Sequence, residues 1–258
     1  MALRVESLAI LLCVHQRAEY LSEIWSQILY LLRGRAGKVF IRFDAPCQEV
    51  IAEIDRLAAY TPPHVELIPY EAKSPLRTSD EKSWALGRYD FYEFARAAAH
   101  FDAAMSWDDD VLFTTQALRE LRAHLDFMEF DRLDCRWAMC WDSRVDENTL
   151  IPTHIAACLF RAYPHDKWSR TYVQHAPEFV SLSGTHHLLS APALHLGYMT
   201  QSDRELAWAH AKASGKIDKH SIALRKPPKL VPLTDPKGRP YVTRKPSIRR
   251  NFADLVGE

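Results

Sequence analysis

Three adjacent carboxylates, at residues 108–110, interrupt an apolar run that extends from Met105 to Phe113. Neighbouring like charges repel, and their burial costs several kcal/mol each unless a positive charge compensates them. Hard divalent ions such as Mg²⁺ and Mn²⁺ take oxygen ligands and bridge carboxylates to substrate phosphates. The triplet therefore predicts a divalent-cation site. The competing interpretation is a solvated acidic turn before a helix that Thr114 or Thr115 caps.

The segments around the triplet alternate between short apolar runs and runs with helical periodicity. The pattern predicts strands at residues 7–14, 38–43, 64–70 and 101–107, and helices at residues 21–32, 50–58, 84–100 and 118–128. After residue 130 it predicts strands at residues 136–141, 155–161 and 179–189, and a capped helix at residues 202–215. Strands that alternate with helices indicate an α/β fold with a mostly parallel sheet and helices on both faces.

Right-handed crossovers bring the carboxyl ends of all parallel strands to one edge, where such sheets bind ligands. The polar residues at the predicted strand ends are His15, Gln16, Arg17, Asp44, Tyr70, Asp108, Asp109 and Asp110. Polar strand ends are common, but three adjacent acids are not expected by chance. Lys82 and Arg88 lie near the start of the predicted helix at 84–100, where anions bind well. A solvated basic pair explains these two equally well.

The composition is that of an ordinary globular protein. The 258 residues carry 33 basic and 33 acidic side chains, so no global field indicates a nucleic acid or membrane partner. Five cysteines without a CxxC pair fit a reducing cytosol, and no run is long enough to cross a membrane. The first apolar run lacks a cleavage site and is better explained as a strand than as a signal peptide. These features predict a cytoplasmic protein with a basic, extended tail at residues 226–258.

The order of four segments resembles the GT-A glycosyltransferases, which use nucleotide sugars and have a Rossmann-like sheet. The segments are the first strand with its HQR end (8–17), the second strand with its aspartate (40–44), the WDDDVLF segment (107–113) and the acidic helix start SDREL (202–206). The third looks like the metal-binding DxD motif, and the fourth looks like the helix that supplies the base of inverting members. The base motif of the family often begins Glu-Asp, whereas this chain has Ser202-Asp203.

The resemblance implies a role for each residue at these positions. The donor nucleotide sugar would contact His15, Arg17, Asp44, Lys82, Arg88, Asp108 and Asp109. Mn²⁺ or Mg²⁺ would bind to Asp110 directly and to Asp108, which alternatively faces the ribose. His220 would be a third ligand that favours manganese, although a surface position is the more common role of such a histidine. Alternation along an extended chain puts Asp108 and Asp110 on one side, with Asp109 turned away or reaching the sugar. Asp203 would be the catalytic base, with Glu205 as the fallback.

The resemblance also implies a domain organisation and an acceptor region. Residues 1–225 would form one GT-A domain, with a donor half at 1–130 and an acceptor half at 131–225. Trp141, His186 and His187 are the candidates for the acceptor pocket. Adjacent histidines on a strand point to opposite faces, so one of the two would line the pocket and the other would lie in the core or at the surface. Packing is the more common role of a tryptophan. The acceptor would be a glycan, a small molecule or a modified base in DNA, with the basic tail on the phosphate backbone.

Two other functions compete with a hexosyltransferase-like enzyme. A nucleotidyltransferase on the same fold would use the acidic site on a triphosphate, but no Gly-rich, Lys-containing phosphate loop follows the first strand. A non-catalytic protein could bind a polyanion through the tail, and that binding would weaken steeply with salt.

Overall fold

The computed structural model describes residues 3–43, 46–71, 94, 97–140, 154–161, 185–197, 199–205, 208 and 237. The predicted site residues outside these ranges are Asp44, Lys82, Arg88, Trp141 and His220. Most of the predicted helix at 84–100 and nearly all of the tail also lie outside them. No helix in the described part of the chain is both long and apolar enough to cross a membrane.

The first half of the chain follows the predicted alternation of strands and helices. Its elements are β1 (Ser7–Val14), α1 (Ala18–Leu32), β2 (Ala36–Phe43), α2 (Gln48–Ala58) and β3 (Val65–Glu71). Each bound lies within a few residues of the predicted one. Helix α1 ends before Gly34, whose φ of 76° is in the left-handed region that glycine adopts without strain.

The second half adds six strands and one full helix among the described residues, besides the start of a further helix at residues 201–205. They are β4 (Ala103–Asp108), β5 (Val111–Phe113), α3 (Thr115–Asp126), β6 (Arg132–Met139), β7 (His154–Arg161), β8 (His186–Leu188) and β9 (Ala193–His195). Thr114 caps α3, as one of the two predicted alternatives, by accepting a hydrogen bond from the Ala117 N–H. Strand β9 was not predicted, because three residues are too few to show an alternating pattern.

The nine strands form one sheet in the order β3-β2-β1-β4-β7-β6-β9-β5, with β8 also paired to β6. Strand β1 is parallel to β2 and β4, and β2 is parallel to β3. Strand β7 runs antiparallel to β4 and β6, and β9 runs parallel to β6. The carboxyl ends of β1, β4 and β9 therefore lie at the same edge. The predicted α/β fold with a mostly parallel central sheet is confirmed.

Both faces of the sheet are covered, as the uninterrupted apolar sequence of β1 predicts. Leu8, Ile10 and Leu12 join a core cluster with the apolar faces of α1, α2 and α3. The alternate residues of β1 join a second cluster that contains Phe94 and Ala98. Each buried leucine or isoleucine contributes roughly 1.5–3 kcal/mol, so β1 is anchored from both sides. A rigid β1 fixes the position of the loop that follows Val14.

The register between β1 and β4 places the acidic triplet beside the end of β1. Cys13 pairs with Asp108 at the carboxyl edge. At the opposite edge Asp102 fixes this register, because its Oδ2 accepts hydrogen bonds from the Glu6 N–H, the Ser7 N–H and the Ser7 hydroxyl at 2.9, 2.9 and 3.1 Å.

Replacement of Asp102 by alanine should lower the free energy of unfolding by about 1–3 kcal/mol, because it leaves the amide groups at the start of β1 without their acceptor. Urea denaturation measures this change. The exposed Asp55 on α2 provides the control, and Asp55→Ala should leave the stability nearly unchanged. Equal stability of the two variants would show that the carboxylate does not anchor the register.

Candidate active site

The acidic triplet forms a turn between two strands. Asp108 is the last residue of β4, residues 109 and 110 make the turn, and the chain returns as β5. The Trp107 indole N–H donates to the Val111 carbonyl at 2.8 Å, and its ring meets the Phe113 ring edge-to-face at 4.9 Å. These contacts hold the turn rigid. The alternation that was expected along an extended triplet therefore ends at Asp108.

Asp109 attaches the turn to the end of β1. Its carboxylate accepts a hydrogen bond from the His15 N–H at 2.6 Å, and its own N–H donates to the Cys13 carbonyl at 3.0 Å. The side chain is buried. Asp109 and the His15 backbone thus lie together at the carboxyl edge of the sheet, as predicted. Contact of either residue with a nucleotide sugar stays a prediction.

Asp110 is the acid at the centre of a charged cluster. It is only 5% exposed, with Oδ2 lying 3.7 Å from Arg17 Nε and Oδ1 lying 3.7 Å from His195 Nε2. Both distances exceed hydrogen-bond length, and the distance to Arg17 is that of an ion pair. The Asp110 carbonyl accepts from the Leu196 N–H at 2.7 Å, which fixes the turn against the segment that follows β9.

Arg17 lies between two acids that are far apart in sequence. It is 8% exposed, and its Nη1 is 3.0 Å from Asp203 Oδ1, while its Nη2 donates to the Gly197 carbonyl at 3.4 Å. The Nη1 contact lacks hydrogen-bond geometry and acts as an ion pair. Burial lowers the pKa of Arg17, but the negative charges of Asp110, Asp203 and Asp109 outweigh it, and the net shift is upward. Arg17 therefore stays charged and compensates these carboxylates.

Asp203 is held by the start of its own helix. The helix begins at residue 201, one residue earlier than predicted, and Thr200 takes the capping position. The Thr200 N–H donates to Asp203 Oδ2 at 2.9 Å, and the Asp203 N–H donates to Thr200 Oγ1 at 3.1 Å. This reciprocal pair is a capping box. Glu205 is exposed and accepts a hydrogen bond from the Gln201 side chain at 2.8 Å.

His195 and Gly197 complete the cluster, and neither was predicted as a site residue. The His195 ring stacks on Trp137 with centroids 5.1 Å apart and planes at 19°. A side chain at position 197 would bring its Cβ to 2.9 Å from Asp110 Oδ2 and 2.6 Å from His195 Cε1, so any larger residue would displace these two side chains. The available signal was a histidine inside the apolar run ALHLG, a polar interruption like that of the triplet.

The ligand atoms of this cluster fit a divalent ion whose remaining ligands would come from a substrate. The carboxylate oxygen Oδ1 of Asp110 and the imidazole nitrogen Nε2 of His195 lie 3.7 Å apart. An oxygen and a nitrogen ligand together suit manganese. Magnesium-like ions commonly use one or two carboxylates and take further oxygens from phosphates. Within the described residues, Asp110, His195 and Asp203 do not bring three donor atoms within 4.8 Å of one another. Substrate oxygens would therefore have to complete the coordination.

The predicted acceptor residues on β8 lie elsewhere. The His187 ring stacks on Phe130 and meets the His124 ring edge-to-face, with centroid distances of 5.5 and 4.8 Å. Only the backbone of His186 is described. The acceptor role of both residues stays a prediction.

No family model matches this chain, and no curated protein matches it. Solved structures with a similar fold include S. aureus TarS 1-349 in complex with UDP-GlcNAc, which is 11% identical with a TM-score of 0.46. The match covers 84% of this chain and 69% of that one. The mannosyltransferase PcManGT from Pyrobaculum calidifontis, in complex with GDP-Man and Mn²⁺, is 12% identical with a TM-score of 0.45 over 88% of this chain and 66% of its own.

Glucosyl-3-phosphoglycerate synthase from Mycobacterium tuberculosis, solved with Mn²⁺, UDP and phosphoglyceric acid, is also similar in fold. It is 9% identical with a TM-score of 0.46, over 83% of this chain and 80% of its own. These proteins belong to the class that the sequence resembles.

Replacement of Arg17 by methionine should destabilise the protein by roughly 3–5 kcal/mol, because it leaves buried carboxylates without their cation. Addition of Mn²⁺ should then raise the melting temperature of the variant more than that of the wild type, since the ion replaces the lost charge. Differential scanning fluorimetry measures both effects.

Arg119→Met provides the matched control, because Arg119 lies exposed on α3. It should leave the melting temperature and the effect of Mn²⁺ unchanged. If Mn²⁺ stabilised the Arg17 variant no more than this control, the acids around position 17 would not bind the ion.

Proposed function

We propose that this chain is a metal-dependent glycosyltransferase that moves a sugar from a nucleoside-diphosphate sugar to an acceptor hydroxyl. The observation that carries the proposal is the buried cluster of Asp110, Arg17 and Asp203 at the carboxyl edge of the sheet. A parallel sheet binds its ligand at this edge. Asp110 would bind a divalent cation, Arg17 would bind a phosphate group, and Asp203 would accept a proton.

Departure of the diphosphate is the step in which negative charge grows. A divalent ion at the diphosphate stabilises this charge more in the transition state than in the ground state. Asp110 would bind that ion, and His195 offers a neighbouring nitrogen. Arg17 is permanently positive and lies beside Asp110. Guanidinium groups bind phosphate oxygens in a bidentate manner.

Arg17 cannot form ion pairs with Asp110, Asp203 and the diphosphate at the same time. In the free protein both oxygens of Asp203 are engaged, one by Arg17 and the other by the Thr200 N–H. Binding of the donor with its metal adds positive charge at Asp110 and negative charge at the diphosphate. Arg17 would move toward the diphosphate, and Asp203 Oδ1 would become available to an acceptor hydroxyl. Donor binding would thus precede activation of the base.

Asp203 would accept the proton of the acceptor hydroxyl while the hydroxyl oxygen attacks the sugar. Attack from the face opposite the diphosphate inverts the anomeric configuration, and it requires a base on that face. The capping box fixes the carboxylate at the helix start, which orients the remaining oxygen. Glu205 lies two residues further along in an exposed position and remains the alternative base.

The Asp110→Asn variant should lose Mn²⁺-dependent binding of nucleoside diphosphates, because an amide oxygen is a weaker ligand than a carboxylate. A thermal-shift screen of nucleoside diphosphates and nucleotide sugars, each with and without Mn²⁺, identifies the donor for the wild type. Titration calorimetry with that donor then compares the variants. Asp55→Asn, on the exposed face of α2, is the charge-matched control and should bind like the wild type. Retention of metal-dependent binding by Asp110→Asn would refute the site.

Asp203→Asn should keep donor binding and lose transfer, because the asparagine side-chain oxygen can still accept the Thr200 N–H but cannot take a proton. Release of nucleoside diphosphate from the donor in the presence of an acceptor measures turnover, and calorimetry measures binding. Glu205→Gln is the parallel variant and should retain turnover. The opposite result, with Glu205→Gln inactive and Asp203→Asn active, would assign the base to Glu205.

A further inference from the structure

A second group of potential metal ligands lies on α3 and β8. Glu120 and His124 are four residues apart on one face of α3, and His187 on β8 approaches the same face. One donor atom from each of the three lies within 4.8 Å of the others, and no other such group of three occurs among the described residues.

The surroundings of His124 favour a bound cation. Its Nε2 is buried without a hydrogen-bond partner among the described residues, which is costly for a polar nitrogen. A metal ion bound at Nε2 would supply the missing partner.

Glu120 is fixed in position by the chain that follows β8. Its carboxylate accepts hydrogen bonds from the Ser190 N–H at 3.0 and 3.1 Å and from the Ser190 hydroxyl at 2.9 Å. Such bonds orient a ligand carboxylate. Oε2 accepts three of them, including one from the Ala191 N–H at 3.4 Å, whereas Oε1 accepts one from the described residues and keeps a lone pair for an ion. His187 is exposed, so an ion can enter from solvent.

This group is separate from the candidate active site. His187 pairs with Leu133 near the start of β6, whereas His195 pairs with Met139 at its end. Six residues of strand span about 20 Å, so the two histidines lie toward opposite edges of the sheet. The two sites cannot share one ion.

We propose that Glu120, His124 and His187 form a second metal site, which binds Zn²⁺ and joins the end of α3 to β8. Two imidazoles and one carboxylate are a common ligand set for zinc, with water in the fourth position. Zinc–nitrogen bonds of about 2.0 Å require neighbouring ligand atoms about 3.3 Å apart, so the side chains close by up to roughly 1.5 Å on binding. The exposed His187 has the freedom to make this movement. Mn²⁺ binds more weakly to such a site than Zn²⁺ does.

Zinc binding is measured by titration calorimetry on the full chain in the Asp110→Asn background, which removes competition from the other site. This protein should bind one Zn²⁺, and Co²⁺ should give the visible absorption typical of tetrahedral nitrogen and oxygen coordination. His187→Ala in the same background should weaken the Zn²⁺ affinity at least about tenfold, because loss of even a residue that only supports a metal ligand has an effect of this size. It should also abolish the Co²⁺ absorption.

His64→Ala, an exposed histidine before β3, is the matched control and should leave Zn²⁺ binding unchanged. Melting curves without metal establish whether His187→Ala folds, and His187→Asn replaces it if it does not. Unchanged affinity and stoichiometry in the folded His187 variant would overturn the proposal. So would equal losses in the His64 and His187 variants, since binding would then not depend on this group.

Discussion

The ion pairs that Arg17 makes with Asp110 and Asp203 are the interaction on which the rest of the site depends. The guanidinium is almost fully buried, and a buried charge is tolerated only when opposite charges surround it. Arg17 follows β1, Asp110 follows β4, and Asp203 lies in the first turn of the helix that begins at residue 201. One cation thus joins three distant segments, and the sheet must bring their ends to one edge for the cluster to form.

The same balance of charge connects folding with chemistry. Without ligands, Arg17 compensates acids that would otherwise repel one another. A divalent ion and a diphosphate would add one positive and one negative group. The ion would replace Arg17 beside Asp110, and Arg17 would pair with the diphosphate, at little electrostatic cost. A site built in this way is stable when empty. With the proposed function, its charged groups would be pre-organised for a transition state in which charge moves onto the diphosphate.

The sequence predicted the first half of the fold well because each segment there carries its own signal. The apolar run of β1, the periodic faces of α1 and α2, and Gly34 each specify local structure without reference to the rest of the chain. Strand β9 and the pairing of β5 with β9 depend on distant contacts and leave no local pattern. The start of the helix at residue 201 was displaced because Thr200, rather than Ser202, forms the capping box with Asp203.

Prediction of the site was partial for the same reason. The charges of Arg17, Asp110 and Asp203 stand out in sequence, but their mutual contact depends on topology, and His195 is a single histidine in an apolar run. Anomalous scattering of Mn²⁺ in crystals grown with a nucleoside diphosphate tests the metal site directly. We expect a peak about 2–2.5 Å from the Asp110 carboxylate that also contacts the diphosphate. A diphosphate bound without Mn²⁺, or a peak remote from Asp110, would contradict it.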